Sequence, residues 1–364
     1  MIVGAPRPGT APGSAPGEPD PLPALLAELE SWVEPAADPL DAMVRTALLP
    51  PGRLLRPLLV LRSAAVVGGP IEHALPAAAA VEMVHAASLV HDDIIDQDDP
   101  RRGRPSAHRR YGRDRAVLLG DALIFRVFTA LSACRERGAD AARVVEAAAE
   151  LSRAGTDLCR GVVRELDGGA HGPTMDGPEY PDTARLKPAV LLRAACRVGA
   201  IIGGGNREQT DRLGRFGSAL GAARRIREDL LPFVAHPCEP GVPAPSGLAN
   251  RHPTLPLLLA RQAGSAEDRR LLRCLVHGVT DPDPAANDED VADRFDRLRE
   301  VLDRTGALAA ATALMHRWIE SALTELAGLP DGAAHASLTD LVRSVGELPA
   351  PTHTERAGLS PSGV

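Results

Sequence analysis

Apolar side chains return every three or four positions along almost the whole of this 364-residue chain. No stretch shows the sustained alternation, rich in Val, Ile, Thr and aromatics, that marks a strand. Segments such as LLRPLLVLRSAAVV, AAAAVEMVHAASLVHDDIID and DRLGRFGSALGAARRIREDLL are dominated by Ala, Leu and Arg, all strong helix formers. The pattern predicts an all-α fold. No repeat of roughly 20–50 residues is evident, and the periodic segments outrun solenoid helices, so a single large helical bundle is expected. Residues 1–21 carry six prolines and four glycines, a composition that buries too little apolar surface to offset its ordering entropy. They predict a disordered tail, as does the similar mixture at 349–364, while residues 234–252 predict a long loop. One domain is expected between the tails, at 22–348.

Lys and Arg together number 41 against 48 Asp and Glu, for a formal charge of −7. Such a chain has no global basic field for nucleic acid or an anionic membrane, so a phosphate-bearing ligand has to be met by a local pocket. Cys134, Cys159, Cys196, Cys238 and Cys274 are an odd set without CxxC spacing, which fits neither a disulfide framework nor a zinc site. A reducing cytoplasm is the expected home. The start, MIVGAPRPGT, places a proline inside what would be the apolar core of a secretory signal, and none is expected. Glu82 and His85 interrupt the apolar run at 74–90, and Arg193 and Arg197 that at 189–205. Neither reaches the roughly 18 residues of a membrane span, and none is expected.

The chemistry concentrates in HDDIIDQDDPRRGRP, residues 91–105. On a helix Asp92 and Asp96 stand one turn apart on a shared face, with Asp93 beside them. Two carboxylates on one face suit Mg²⁺, which keeps several waters and also binds substrate phosphates. Arg101 and Arg102 follow, a planar cationic pair able to bind phosphate oxygens bidentately. An acidic helix end followed by RRG can also be a solvated turn. The helix before it, however, is apolar nearly all round and must be buried, and a buried helix ending in carboxylates calls for a cation. Upstream, Arg53 and Arg56 in GRLLRP point the same way from a helix start, and His85 lies two turns before Asp92 on its stripe. Lys187 is the single lysine of the chain.

These segments resemble the all-trans isoprenyl (polyprenyl) diphosphate synthases, the class I isoprenoid synthase type. GRLLRP resembles the family's GKRLRP, and VHAASLVHDDIIDQDDPRRGRPSAHRRYG its first aspartate-rich motif through the RRGxPTxH block. VLLGDAL, LKPAVLLRAACRVGA and PTLPLLLA follow in the family's order, from about residue 48 to 262. The resemblance implies a prenyltransferase of isoprenoid biosynthesis: an allylic diphosphate ionises, isopentenyl diphosphate attacks the carbocation, and proton loss gives a chain five carbons longer. It implies Asp92 and Asp96 as Mg²⁺ ligands with Asp93 supporting, and Glu228 as a further ligand. By the same carry-over Arg101 and Lys187 grip the allylic diphosphate, Arg53, Arg56, His85 and Arg102 the isopentenyl diphosphate, and Asp229 belongs to the substrate site. A homodimer is implied by analogy alone.

The second aspartate-rich motif departs from the family's approximate FQxxDDxxD. Residues 224–232 read RRIREDLLP, so Glu228 and Asp229 stand for the first two aspartates, Pro232 for the last, and Arg224 and Arg225 for Phe and Gln. His252 stands for a family lysine and Pro188 for the Thr after Lys187. Three readings follow. One is an active synthase in which Arg224 or Arg225 supplies charge at a retuned second site. Another is a terpene cyclase on the same scaffold, although Arg53, Arg56, His85 and Arg102 persist and NDEDVADRF lacks the usual cyclase pattern. The last is a non-catalytic, prenyl-diphosphate-binding subunit of a heteromeric synthase, although the first motif is intact.

Product length is argued from the helix before Asp92. The hydrocarbon tail is expected to pass Ser88 and Ala87, both small, and each turn rises about 5.4 Å, close to one isoprene unit. Met83 and Val84, or Phe125 and Phe128 of a neighbouring helix, are expected to close the pocket. A C20 product, geranylgeranyl diphosphate, is predicted.

Overall fold

The computed structural model describes residues 20–33, 38–97, 100–101, 104–170, 188–234, 254–280 and 288–348. Among them the order is α1 (Leu22–Ser31), α2 (Pro39–Leu48), α3 (Leu55–Val66), α4 (Ile71–Asp96), β1 (Pro100–Arg101), β2 (Arg104–Pro105), α5 (Ala107–Tyr111), α6 (Arg113–Glu136), α7 (Ala141–Ala170), α8 (Pro188–Ile202), α9 (Arg207–Val234), α10 (Leu255–Ala263), α11 (Ala266–Thr280), α12 (Asp288–Arg304), α13 (Ala307–Leu326) and α14 (Ala333–Gly346). The fold is all-α as expected. The one sheet described is a two-residue antiparallel ladder that sets Pro100 opposite Pro105 and Arg101 opposite Arg104.

Local chemistry starts and stops these helices. Asp38 caps α2 by accepting the N–H groups of Leu40 and Asp41 at 2.7 and 3.0 Å, and Pro39 sits in the first turn, where its missing N–H leaves nothing unpaired. Helix α4 ends at Gln97, whose φ of 55° puts it in the left-handed region and turns the chain out of the helix.

Two compact units divide the elements. The first gathers the described residues within Met1–Ala170, Glu179–Ala222 and Trp318–Ser344. In it α4 packs against α3, α6 and α8, and α8 packs also against α7. Neighbours on several sides explain why α4 is apolar nearly all round: Ala77, Ala78, Ala79, Ala80 and Val81 are fully buried. Glycine sets the spacing of α3 and α8. A Cβ on Gly199 would lie 2.1 Å from the Val60 carbonyl oxygen, so the two backbones approach more closely than any larger residue allows.

By length and composition both α4 and α6 qualify as membrane-crossing helices, where the sequence reading, stopping at Glu82 and His85, expected none. In α4 the qualifying window is 67% buried, as in a core helix, against 39% in α6. The difference lies on one stripe of α6. Leu118, Ile124, Phe125 and Phe128 are 61%, 42%, 71% and 57% exposed, at positions one face of a helix brings together. Phe125 and Phe128 thus stand at the surface of this chain rather than at the floor of a pocket within it.

The second unit gathers the described residues within His171–Pro178, Ala223–Arg317 and Val345–Val364. Its core stacks Phe233, near the end of α9, on Phe295 of α12, with ring centroids 5.5 Å apart and planes within 3°. Leu257, Leu272 and Leu298 surround the pair. Burying each such side chain contributes about 1.5–3 kcal/mol relative to leaving it exposed.

Candidate active site

The last turns of α4 carry Asp92, Asp93 and Asp96. Asp93 is buried at 3% exposure, Asp92 half-buried and Asp96 exposed. A helix C-terminus is the negative end of the backbone dipole, so carboxylates there are electrostatically unfavourable unless a cation joins them. No basic residue occupies that last turn. Among the described residues no three His, Cys, Asp or Glu side chains converge as a metal cage. A carboxylate pair on one helical face still fits Mg²⁺, which takes one or two protein carboxylates and completes its shell with water and substrate phosphate oxygens.

Above Asp92 on the same stripe lie Ser88, His85 and Val84, all half-buried, whereas Ala87 and Met83 are buried at 2% and 0% exposure. Ser88 Oγ donates to the His85 carbonyl at 2.9 Å. His85 joins α4 to the start of α3: Arg56 Nη1 stands 3.0 Å from His85 Nε2. A guanidinium only donates, so Nε2 accepts and the imidazole in this pair is neutral, with its proton on Nδ1.

Arg53 and Arg56 flank Leu54, a buried residue with φ 50° and ψ 27°. A non-glycine side chain in the left-handed region costs on the order of 1–3 kcal/mol and persists where the surroundings hold it. Here the bend sets Arg53 just before the N-cap and Arg56 in the first turn of α3, whose free N–H groups and positive dipole end also favour an anion. The α3 start thus carries a cationic patch and the α4 end an anionic one, and the Arg56–His85 contact joins the α3 start to α4 two turns before Asp92. Arg101 stands in β1. Arg102, Lys187, His252 and the two tails lie outside the described residues.

One arrangement escaped the sequence reasoning. The His91 ring packs against Gly120, where a Cβ would come within 2.1 Å of its Nε2, and this nitrogen lies 3.6 Å from Asp121 Oδ1. The Gly-Asp pair in VLLGDAL was the available signal: the glycine leaves room for a ring and the aspartate faces it.

In the second unit, Glu228 and Asp229 each pair with an arginine one turn earlier. Arg224 Nε donates to Glu228 Oε1 at 2.9 Å, and Arg225 Nε lies 3.2 Å from Asp229 Oδ1. Glu228 is exposed and Asp229 is buried.

A polar cavity of about 680 Å³ where α7, α8 and α9 meet involves none of these residues. Its Arg197 is held by Glu150 at 3.1 Å and Asp211 at 2.7 Å, and these carboxylates raise the guanidinium's pKa against the opposing effect of burial.

The family model for polyprenyl synthetase matches residues 37–291. Over 221 residues the chain is 39% identical to geranylgeranyl pyrophosphate synthase 7, chloroplastic, of Arabidopsis thaliana, covering 59% of this chain and 63% of that protein. It is 32% identical over 288 residues to a short chain isoprenyl diphosphate synthase of Methanothermobacter thermautotrophicus, covering 79% of this chain and 83% of that one. The crystal structure of geranylgeranyl pyrophosphate synthetase from Pyrococcus horikoshii Ot3 superposes with a TM-score of 0.79 at 27% identity, over 91% of this chain and 100% of that chain.

Proposed function

Because the chain belongs to the polyprenyl synthetase family, we propose that it is a polyprenyl diphosphate synthase that condenses isopentenyl diphosphate head-to-tail with an allylic diphosphate. The observation that carries this reading is the presence of two patches in the first unit: acidic side chains at the negative end of α4, and Arg53 and Arg56 at the positive end of α3, where Arg56 meets His85 of α4 two turns before Asp92. A substrate bearing a leaving diphosphate needs the first, through a divalent cation, and a second diphosphate substrate needs the other.

Asp92 and Asp96 are the residues that would hold Mg²⁺, with Asp93 supporting the turn from its buried position. When bound, the metal supplies positive charge for the departing diphosphate. The residues of the chain do the rest. Arg53 and Arg56 orient the diphosphate of isopentenyl diphosphate, with His85 holding the Arg56 guanidinium. Arg101, Arg102 and Lys187 add cationic donors by their motif positions. In the reaction the allylic C–O bond breaks with its electron pair leaving on diphosphate. The C3–C4 double bond of isopentenyl diphosphate forms the new C–C bond, and a proton lost from C2 regenerates an alkene. Ser88, Val84 and the apolar body of α4 keep water from the cationic carbon. A C20 product fits the small residues Ala87 and Ser88.

The exposed stripe of α6 supports a homodimer built on that face, since contiguous apolar patches with two exposed phenylalanines mark association surfaces. The four described cysteines are free thiols, in keeping with a reducing cytoplasm.

The decisive experiment incubates the purified protein with Mg²⁺, labelled isopentenyl diphosphate and, in turn, dimethylallyl, geranyl, farnesyl and geranylgeranyl diphosphates, identifying the dephosphorylated products by mass spectrometry. Label in a linear C20 alcohol is the expected result. Cyclic hydrocarbon formed without isopentenyl diphosphate would replace the synthase by a cyclase. No turnover by folded protein would replace it by a binding subunit.

A further inference from the structure

Every carboxylate that residues 224–232 offer to a metal already has a protein partner. Arg224 holds Glu228 at 2.9 Å and Arg225 holds Asp229 at 3.2 Å, both over one helical turn. Asp229 has a further task. Buried at 4% exposure, its Oδ2 accepts the backbone N–H of Leu255 at 3.0 Å. Leu255 is the first residue of α10, whose N-cap Thr254 makes no side-chain cap bond. The N–H groups of a first helical turn have no intrahelical acceptor. Asp229, from 26 residues upstream, supplies the acceptor that Thr254 does not.

The fit to a divalent ion is therefore poor. A second ligand on the face of Glu228 would stand four residues on, and that residue is Pro232, whose side chain has no oxygen. Turning Asp229 towards a metal would strip a buried N–H of its partner. Glu228 is left alone, and the guanidinium against its carboxylate repels a dication.

We infer that this second acidic segment is not a divalent-metal site: the Arg224 guanidinium stands where a metal would otherwise neutralise Glu228, and Asp229 is a positioning residue that fixes the start of α10. The inference rests on the synthase reading, and it assigns the divalent-ion requirement to the carboxylates of α4.

Electron paramagnetic resonance titration of Mn²⁺ against the full chain in the presence of inorganic diphosphate counts the ions bound. Glu228→Gln is expected to leave the count unchanged, Asp92→Asn to lower it by one or more, and Arg224→Gln to leave it unchanged or raise it. Loss of an ion in Glu228→Gln overturns the inference. A count unmoved by Asp92→Asn overturns the synthase reading instead. For Asp229 the readout separates capping from ligation. Asp229→Ala is expected to lower the melting temperature without changing the ion count, and Asp229→Asn, which keeps an acceptor for the Leu255 N–H, to restore it. Loss of an ion in Asp229→Asn at an unchanged melting temperature overturns the positioning role.

Discussion

The imidazole of His91 occupies the space that a side chain on Gly120 would need: a Cβ there would lie 2.1 Å from Nε2. The ring sits one residue before Asp92, so the glycine on α6 and the histidine on α4 fix how the carboxylate-bearing turn rests on its neighbour.

Gly120→Ala is expected to expel the ring, and because the partly exposed His91 side chain can turn aside and Ala gains about 1 kcal/mol of helix propensity over Gly, the net destabilisation is expected to stay below about 1 kcal/mol. Thermal unfolding measures it. The double variant Gly120→Ala with His91→Ala should recover most of that loss, and a double variant no more stable than Gly120→Ala alone would reject the steric account.

Asp92→Asn and Asp96→Asn are each expected to lower kcat/KM by about 10²-fold or more, the scale on which a single group stabilising transition-state charge acts. Arg56→Gln should act mainly on the KM for isopentenyl diphosphate. Incorporation of labelled isopentenyl diphosphate at varied substrate concentrations separates the two effects.

Chain length is expected to respond to substitutions at both small positions, with different side effects. Ser88 is half-buried on the stripe of Asp92, so Ser88→Phe should shorten the product with a small change in melting temperature. Ala87 is 2% exposed, so Ala87→Phe should shorten the product and also destabilise by about 1–3 kcal/mol. Chromatography of the dephosphorylated products decides, and unchanged products in both variants would remove these positions from the pocket.

Burial pushes the thiols of Cys134 and Cys196 up to about 12, whereas in the unfolded chain each titrates near its ordinary value of about 8.5. The folded state then holds more protons than the unfolded state between these values. The stability these thiols contribute is fully present below pH about 8.5 and is lost as the pH rises towards 12. Melting temperatures measured across this range should fall, and Cys134→Ala with Cys196→Ala should flatten the slope.

Phe125→Asp with Phe128→Asp places two charges on the exposed stripe of α6 and is expected to convert the proposed dimer into monomers in sedimentation velocity. A monomeric parent chain would reject the dimer at the outset.

The helices and the acidic end of α4 were legible because both are local properties. Periodicity reports a buried face, and the spacing of Asp92 and Asp96 is itself a statement about one turn. What stayed hidden joins residues far apart in the chain. That Asp229 bonds to Leu255, or that His91 fills the space over Gly120, depends on packing that no short window records. Phe125 and Phe128 show the same limit from the other side: an apolar stripe says that a face seeks cover without saying what covers it. The pairs Arg224–Glu228 and Arg225–Asp229 could be read directly from their spacing of four. Their meaning came only with the burial of Asp229.

Helix α4 runs unbroken from the fully buried alanines at 77–80 to Asp96. The interior around it is close-packed, so one added methylene has no slack to enter and instead shifts its surroundings. A bulkier residue at any of those alanines therefore displaces the rod that aims the carboxylates some four turns away. A replacement in this stretch of core is expected to lower turnover as well as stability, and a survey of tolerated replacements should find it as intolerant as the acidic turn itself.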